Sequence, residues 1–176
     1  MAILPIRLYP DPILTKKAGK IQNAKNPEIQ ELILDMLETM EKNDGLGLAA
    51  SQVGVSLRLC VINLDGKKYI LINPKFKSRS WKKVVAEEGC LSFPGFFIPV
   101  KRHNAVIVKA LDRSGKEIII KAEGMLSRVL QHEIDHLEGI PFTKRKAKAA
   151  ASDSSSRFGE VGEKNNNIKK IWKKAL

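Results

Sequence analysis

Two histidines and a glutamate lie within the stretch His-Glu-Ile-Asp-His at residues 132–136. On an α-helix, residues four apart lie on the same face, so His132 and His136 can bind one metal ion. Glu133 is adjacent, and its carboxylate can reach a water held by that metal without being a ligand itself. The chain has only three histidines, and two of them are here. The spacing predicts a hydrolytic metal site, although such matches also occur by chance on surface helices.

The residues around this motif are typical of a helix. Residues 124–131 lead into it without a proline, and apolar side chains recur there at helical spacing. Gly139 and Pro141 predict the end of the helix, because glycine adopts the left-handed cap and proline cannot continue a helix. Three residues precede His132 on its own face and are candidates for a substrate pocket or for ordinary core: Met125, Arg128 and Val129.

A catalytic site needs a third protein ligand. Cys90 lies between a flexible glycine and a probable strand, and a thiolate with two imidazoles would leave one position open for water. Cys60 lies in an apolar run at residues 57–63 and is better explained as core. Downstream of the histidines, the candidates are acids such as Glu160 and Glu163.

A glycine-rich segment at residues 45–54 offers a further chemical group. Its small residues allow another backbone to approach closely, and Gln52 contributes a carboxamide N–H near its end. Such a donor can stabilise negative charge that develops on a carbonyl oxygen under attack. A structural turn explains the same residues, and the pattern of a phosphate-binding loop is missing.

Three segments together resemble the three signature motifs of the peptide deformylases, in the same order and at similar spacing. They are Gly-Leu-Gly-Leu-Ala-Ala-Ser-Gln at 45–52, Glu-Gly-Cys-Leu-Ser at 88–92 and Gln-His-Glu-Ile-Asp-His-Leu at 131–137. The opening stretch at residues 6–14 is similar to that of the family as well. The resemblance covers roughly residues 3–143, and three motifs in register are far more specific than any one of them.

This resemblance implies a metal-dependent deformylase. Cys90, His132 and His136 would bind one divalent ion, ferrous iron in the cell, with zinc, nickel or cobalt able to replace it. Glu133 would take a proton from the attacking water and later pass one to the leaving amine. The implied reaction is hydrolysis of the N-formyl group from the initiator methionine of nascent polypeptides, which releases formate.

The resemblance also implies groups that contact the substrate. Gln52 and the backbone N–H of Leu91 would stabilise the tetrahedral oxyanion. Gly47 would belong to a strand edge along which the peptide lies. The full predicted substrate-binding set is Gly45, Gly47, Glu88, Met125, Arg128 and Val129.

Two segments depart from the family pattern. Residues 93–99 (Phe-Pro-Gly-Phe-Phe-Ile-Pro) are more apolar than expected of a loop near the substrate path, and Phe96 and Phe97 would pack inward or form an apolar rim. After the histidine helix, residues 141–145 (Pro-Phe-Thr-Lys-Arg) replace a more acidic segment. Both changes bear on substrate preference and partner contacts rather than on the chemistry.

The remaining sequence predicts an α+β fold. Residues 26–28 begin a helix whose apolar stripe runs to Met40. Strand-like runs follow at 57–63, 69–73, 105–111 and 117–121. The turn between the last two is typical of a hairpin. Because the strands come in a block before the histidine helix, we expect antiparallel or mixed sheets packed around a central metal-binding helix that carries the His-Glu-x-x-His motif.

The composition limits the class of protein. With 176 residues and 43% hydrophobic content, the chain can form one compact catalytic domain, which we assign to residues 1–145. No stretch is long and apolar enough to span a membrane, and no signal or transit segment is recognisable. Two cysteines with different roles favour a reducing compartment, so we predict a cytoplasmic protein with no membrane or DNA partner.

Residues 146–176 form a basic tail of different character. Low-complexity stretches precede residues 168–176, which could form a short amphipathic helix. From Lys144 to the end, ten Lys/Arg stand against three Asp/Glu, so about +7 of the formal charge of +12 lies there. Family members are thought to dock on the ribosome through a C-terminal helix, and a basic tail could contact RNA phosphates. A solvated lysine-rich face explains the same residues nearly as well.

Two alternatives from other classes remain. A His-Glu-x-x-His zinc peptidase would take its third ligand from Glu160 or Glu163, which leaves Cys90 and residues 45–52 without a role. An RNA-binding protein with a structural metal fits the charge. However, aromatic residues make up only 6% of the chain, and no stacking platform is recognisable in the sequence.

Overall fold

The computed structural model describes residues 2–147, which contain two helices, seven strands and three short 3-10 segments. The helices are α1 (Pro27–Lys42) and α2 (Gly124–Leu137). The strands are β1 (Gly47–Ala49), β2 (Leu59–Leu64), β3 (Lys67–Arg79), β4 (Lys83–Cys90), β5 (Phe93–His103), β6 (Ala105–Leu111) and β7 (Glu117–Glu123). The 3-10 segments are Pro12–Thr15, Ala50–Val53 and Phe142–Arg145.

The strands form two antiparallel sheets, which confirms the predicted α+β class. The larger sheet has the strand order β1-β2-β3-β6-β7, and the smaller one is the β4-β5 ribbon. Helix α2 contacts strands of both sheets. It therefore lies where residues of the large sheet and of the ribbon can meet.

Strand β2 is buried on both faces because the two helices lie on opposite sides of it. Cys60 and Ile62 point into the hydrophobic cluster that includes α2, whereas Leu59 and Val61 point into the cluster that includes α1. Alternate residues of a strand face opposite ways, so a strand between two helices must be apolar throughout. This placement explains the continuous apolar run around Cys60, and the expectation that Cys60 is core is confirmed.

Helix α1 begins where the sequence predicts. The side chain of Asn26 accepts a hydrogen bond from the backbone N–H of Glu28 at 2.9 Å, and Pro27 occupies the first turn. The buried side of the helix includes Ile33 and Met40, as the apolar stripe indicates. Local capping and helical spacing are enough to specify this element.

The four strand-like runs are confirmed as β2, β3, β6 and β7, but the sequence pattern does not predict the β4–β5 ribbon. It predicts a loop at residues 93–99, and those residues instead begin β5, where Pro99 lies opposite Glu87. Proline is tolerated there because its nitrogen faces the outer edge of β5 and not β4. The Pro99 carbonyl on that same edge accepts a hydrogen bond from the backbone N–H of Ala147 at 2.9 Å. The loop prediction was wrong because proline and glycine argue against a strand mainly where other strands must pair with it on both sides.

The C-terminal end of α2 is fixed by Gly139, as expected. Gly139 has a φ of 68°, and the backbone N–H of Ile140 donates to the carbonyl of Asp135 at 2.9 Å. The chain turns here against the N-terminal segment: a Cβ at position 139 would lie 2.6 Å from the carbonyl oxygen of Thr15. Glycine is therefore required both by the backbone angle and by the close approach.

Within residues 2–147, neither helix has the length and apolarity needed to cross a membrane. The proposed helix at residues 168–176 and the acids Glu160 and Glu163 lie outside the described residues. The boundary between a catalytic domain at 1–145 and a tail at 146–176 therefore stays a prediction.

We expect Gly139→Ala to lower the free energy of unfolding by about 2–5 kcal/mol, because it combines a left-handed backbone angle with an overlap against Thr15. Gly66→Ala is the matched control. Gly66 has a φ of 78° but nothing within 4 Å of an added Cβ, so only the backbone cost of about 1–2 kcal/mol should remain. Urea unfolding of both variants measures the difference. Equal losses would mean that the contact with Thr15 contributes nothing.

Candidate metal centre and catalytic cavity

Cys90 and the two histidines converge between the β4–β5 ribbon and α2. Cys90 is the last residue of β4, and His132 and His136 lie one turn apart on α2. The Nε2 atoms of the histidines are 3.2 Å apart, and Cys90 Sγ is 3.3 Å from His136 Nε2. All three side chains are buried. The structure thus brings the predicted ligand set together into a group that could hold one metal ion.

The two measured separations among these donor atoms are close to those that one tetrahedral ion requires, and all three atoms lie within 4.8 Å of one another. Zinc–nitrogen bonds of roughly 2.0–2.1 Å and zinc–sulfur bonds of roughly 2.3 Å imply separations of about 3.4 Å between nitrogens and about 3.6 Å between nitrogen and sulfur. The observed separations are close to these values. Glu133 lies next to the donors, and its Oε2 is buried with no hydrogen-bond partner among residues 2–147. A buried carboxylate oxygen of this kind calls for a functional explanation, and accepting a proton beside the three donors is one.

Glu88 fixes the orientation of His132. Its Oε2 accepts hydrogen bonds from His132 Nδ1 at 3.0 Å and from Arg102 at 2.9 Å. Its Oε1 accepts from Arg102 Nε at 2.9 Å and from Arg128 at 2.7 Å. With a proton on Nδ1, the Nε2 atom of His132 is left to face the other two donors. Metal-binding histidines use this arrangement, in which a carboxylate holds the second ring nitrogen.

Arg102 extends this network across α2. Its guanidinium also pairs with Asp135, which accepts two further hydrogen bonds from Arg145 at 2.9 and 3.1 Å. Phe142 is buried, with its ring centroid 5.7 Å from that of His132. The unusual segment at residues 141–145 therefore supports the histidine helix through one ring contact and one ion pair.

The surrounding charges set the protonation of the two histidines. Burial alone would raise the pKa of Glu88, but its bonds to His132 and Arg102 hold that pKa well below the usual range. Burial alone would lower the pKa of His132, but contacts with Cys90 and Glu88 raise it to about 10. Burial and the neighbouring His132 lower the pKa of His136 well below its ordinary value. A metal ion would therefore displace a proton at His132 and meet a neutral ring at His136.

The position and the pKa of Glu133 suit a proton acceptor. Burial raises its pKa to about 7, and a base in this range can accept a proton near neutral pH and give it back. The carboxylate fits because residue 47 is glycine: a Cβ there would lie 2.8 Å from Glu133 Cδ. The predicted importance of Gly47 thus has a steric basis.

Gln52 is held rigidly beside Cys90. Its carboxamide oxygen accepts from the backbone N–H of Ala49 at 2.9 Å, which turns the amide nitrogen toward the cavity. That nitrogen lies 3.4 Å from Cys90 Sγ and donates to Ser92 Oγ at 3.2 Å. Because Gln52 is itself buried, its N–H group is a fixed dipole that can stabilise developing negative charge.

A cavity of about 10 Å³ lies beside these groups, with room for about one water molecule. Its lining includes seven predicted residues: Gly45, Gly47, Gln52, Cys90, Leu91, His132 and Glu133. The wall is completed by Leu46, Phe93 and Phe97. Of the two adjacent phenylalanines, Phe97 packs inward against Gly89, whereas Phe96 is half exposed.

Four residues of the predicted substrate-binding set do not line this cavity: Glu88, Met125, Arg128 and Val129. Arg128 is buried and donates to Glu88 and to the backbone carbonyls of Val84 and Val100 at 2.9 and 3.1 Å. Val129 belongs to the cluster beneath the large sheet, and Met125 packs against it. Helical spacing places them near His132, but it does not say which neighbour each side chain meets.

Arg102, Asp135 and Ser92 support the site but were not predicted from the sequence. One signal was available for Arg102: it shares the buried face of β5 with Ile98 and Val100, and a buried arginine requires carboxylate partners. Asp135 and Ser92 lie inside the recognised motifs, yet nothing in their spacing indicates which side chain each would pair with.

Comparison with known proteins gives a consistent result. Residues 3–152 match the family model described as polypeptide deformylase. A peptide deformylase from Thermodesulfovibrio yellowstonii is 52% identical over 145 residues, which are 80% of this chain and 87% of the relative. The crystal structure of peptide deformylase from Thermotoga maritima superposes with a TM-score of 0.82 at 36% identity, covering 84% of this chain and 100% of the other. A structure from Ehrlichia chaffeensis in complex with actinonin has a TM-score of 0.81 at 44% identity, covering 84% and 91%.

We expect Glu88→Gln to lower the free energy of unfolding by about 3–5 kcal/mol, because it leaves the buried charges of Arg102 and Arg128 without a full anionic partner. Urea unfolding at pH 7 measures this loss. Glu31→Gln, at an exposed position on α1, is the control and should change stability by no more than about 0.5 kcal/mol.

The difference in unfolding free energy between wild type and Glu88→Gln should depend on pH. Because the folded pKa of Glu88 lies below the unfolded value of about 4.3, its stabilising effect is complete above that value and is lost as the pH falls toward the folded pKa. The gap between wild type and Glu88→Gln should therefore shrink by about 1–2 kcal/mol at pH 3. A gap that stays constant from pH 7 to pH 3 would contradict the assigned ion pairs.

Proposed function

This chain belongs to the polypeptide deformylase family, and from that premise we propose which of its residues carry the reaction. Its function is the metal-dependent removal of the N-formyl group from the initiator methionine of nascent polypeptides, with release of formate. The assignment of roles rests on the convergence of three buried donor atoms beside a Glu133 oxygen that has no hydrogen-bond partner within the described part of the chain.

Cys90, His132 and His136 are the proposed ligands, and α2 is the metal-binding helix around which the sheets pack. Two imidazoles and one thiolate suit several borderline divalent ions. Ferrous iron is the proposed ion in the cell, with zinc, nickel or cobalt able to replace it. A bound ion of this kind supplies Lewis acidity, which makes a water nucleophilic near neutral pH.

Glu133 is the proposed general base and acid. Its buried carboxylate accepts a proton from the attacking water and then delivers one to the amine that leaves. A pKa of about 7 suits both directions of transfer. Glu88, Arg102 and Arg128 do not touch the substrate in this proposal; they hold the ring of His132.

Two donors stabilise the oxyanion. The first is Gln52 Nε2, which is held in place because the backbone N–H of Ala49 donates to the carboxamide oxygen of Gln52. The second is the backbone N–H of Leu91, the residue directly after Cys90. Both residues line the cavity beside Glu133. Donors that are positioned before the reaction stabilise charge without having to reorganise.

The peptide is proposed to lie along β1, which is an edge strand of the large sheet. Gly45 and Gly47 let its backbone come close, and the small cavity favours a formyl carbon, which carries only hydrogen, over a bulkier acyl group. Leu46 and Phe97 form the apolar wall. Met125 and Val129 pack behind that wall and are proposed to shape the methionine pocket from there.

A zinc peptidase is not favoured. That alternative needs Glu160 or Glu163 as the third ligand, and both acids lie outside the described residues. Cys90 already provides a third donor at a suitable distance from His136.

The central test is formate release from a short formyl-Met peptide by protein purified without oxygen, with the bound metal quantified. We expect Glu133→Ala to keep its metal and to lose turnover by about 100-fold or more, because proton transfer is removed while the ligands remain. Full activity with metal bound in this variant would overturn the role of Glu133.

The two cysteines provide the matched comparison for the ligand set. Cys90→Ala should lose both metal and formate release, whereas Cys60→Ala should keep both, since Cys60 lies in the hydrophobic cluster of the large sheet. If Cys90→Ala retained metal, the peptidase alternative would have to be tested next.

We further propose that the protein acts in the cytoplasm, where a thiolate ligand stays reduced, and that the basic tail at residues 146–176 contacts the ribosome. Removing residues 148–176 should weaken co-sedimentation with ribosomes, with the largest effect at low salt. Truncation after residue 147 is chosen because the backbone N–H of Ala147 still donates to Pro99 in β5. Equal pelleting at low salt would remove the tail from this role.

A further inference from the structure

A second, larger concavity lies where β3 ends, β4 begins and β5 ends. It has a volume of about 460 Å³, and we call it the basic groove. Its lining is Phe76, Lys77, Ser78, Arg79, Ser80, Trp81, Lys83 and His103. It shares no lining residue with the catalytic cavity. An adjoining hollow of about 140 Å³ continues it toward Lys101 and Arg145.

The groove is strongly positive. Five of the nine residues from Lys75 to Lys83 are lysine or arginine, and none is acidic. All five of these side chains are exposed, and three of them line the groove: Lys77, Arg79 and Lys83. In the adjoining hollow, the one acidic lining residue is Asp135, which is already paired with Arg102 and Arg145. A charge of this density attracts a linear polyanion.

Aromatic rings lie among these cations. Trp81 is 100% exposed, which is unusual for so large an apolar side chain. The Arg79 guanidinium lies over the Phe76 ring, 4.1 Å from its centroid. No stacking platform is recognisable in the sequence because Phe76 and Trp81 become parts of one surface only when β3 and β4 are folded.

The backbone that carries Trp81 is fixed. Ser80 exchanges hydrogen bonds with Ala105 through its backbone N–H at 2.9 Å and its hydroxyl at 3.0 Å. His103 Nδ1 lies 2.6 Å from the Ser80 carbonyl oxygen, and Asn104 donates to the Lys82 carbonyl at 2.9 Å. The exposed indole therefore stands on a turn that is bonded on both sides, so a partner would meet it without ordering the loop.

We propose that the basic groove binds single-stranded RNA, with phosphates on Lys77, Arg79 and Lys83 and a base stacked on Trp81. Nonspecific single-strand binding combines a positive groove with aromatic rings in this way. An acidic peptide would satisfy the cations but would leave the indole without a planar partner. A membrane surface needs an apolar face that inserts into it, whereas these cations line a concavity.

RNA rather than DNA is the proposed occupant because the enzyme acts on nascent polypeptides, whose synthesis takes place among exposed RNA. The groove and the catalytic cavity have separate linings, so RNA can bind without blocking the peptide. The residues named as lining the groove and the adjoining hollow all precede residue 146.

The test uses the full chain with Trp172→Phe, which leaves Trp81 as the only tryptophan. A 12-nucleotide oligouridylate should quench Trp81 fluorescence in a saturable manner. In fluorescence anisotropy with labelled RNA, Trp81→Ala should weaken binding about 5- to 150-fold, and Trp81→Phe should restore much of it. The double variant Lys77→Glu/Lys83→Glu should reduce the slope of log affinity against log salt by about 1.4.

Lys20→Glu/Lys25→Glu is the control of equal charge at exposed positions away from the groove, and it should reduce binding much less than Lys77→Glu/Lys83→Glu. Formate release from a formyl-Met peptide should be unchanged in all of these variants. The proposal is overturned if Trp81→Ala binds oligouridylate as tightly as the parent and inorganic polyphosphate displaces oligouridylate equally well from both proteins. Binding would then depend on charge alone, without stacking on Trp81. It is also overturned if the control pair is as damaging as the groove pair. Binding to phosphatidylserine vesicles or to oligothymidylate, but not to oligouridylate, would overturn it as well.

Discussion

The buried carboxylate of Glu88 is the interaction on which the site depends. It binds one histidine from α2 and two arginines, one from β5 and one from α2, so it joins the ribbon to the helix at the point where their side chains must meet. A buried charge is costly unless all of its lone pairs are used, and here four hydrogen bonds share two oxygens. The network therefore specifies one orientation of His132 rather than merely adding stability. Because Arg102 also reaches Asp135, that orientation is linked to the last turn of α2 and to Arg145 beyond it.

Glu88 also shows how much of the site could be predicted from the sequence. The proposed ligands and the proposed base Glu133 follow from motifs whose chemistry depends on residue type and spacing, and the structure places those residues together. Helix α1 was predictable because its cap and apolar stripe are local features. The β4–β5 ribbon was not, because Pro94, Gly95 and Pro99 are typical of loops, whereas an outer strand of a two-stranded ribbon can contain them. Arg128 was wrongly expected to line the cavity, because helical spacing gives its position on α2 but not its partner, Glu88, in the ribbon.

The two ends of the ribbon line different cavities. One end presents Cys90, Phe93 and Phe97 to the catalytic cavity. The other end, where β4 begins and β5 finishes, presents Lys83, Lys101 and His103 to the basic groove and its extension. Both ends are bonded to α2. At the first end, Glu88 of β4 accepts hydrogen bonds from His132 and Arg128 of α2. At the second end, the carboxamide of Gln131 in α2 bonds the backbone of His103. The proposed RNA contact and the proposed chemistry thus share a frame while using separate surfaces.

Strand β1 has a consequence for solubility. An enzyme that takes extended peptides along a sheet edge has to keep an edge unpaired, and an unpaired edge invites the strands of other proteins to add to it. Here that edge is three residues long, Gly47–Ala49, and ends in the 3-10 turn at Ala50–Val53. At the opposite edge, β7 carries charged residues at Glu117, Lys121 and Glu123. The proposed peptide-binding edge is therefore long enough for a short substrate but too short to nucleate a continuous intermolecular sheet.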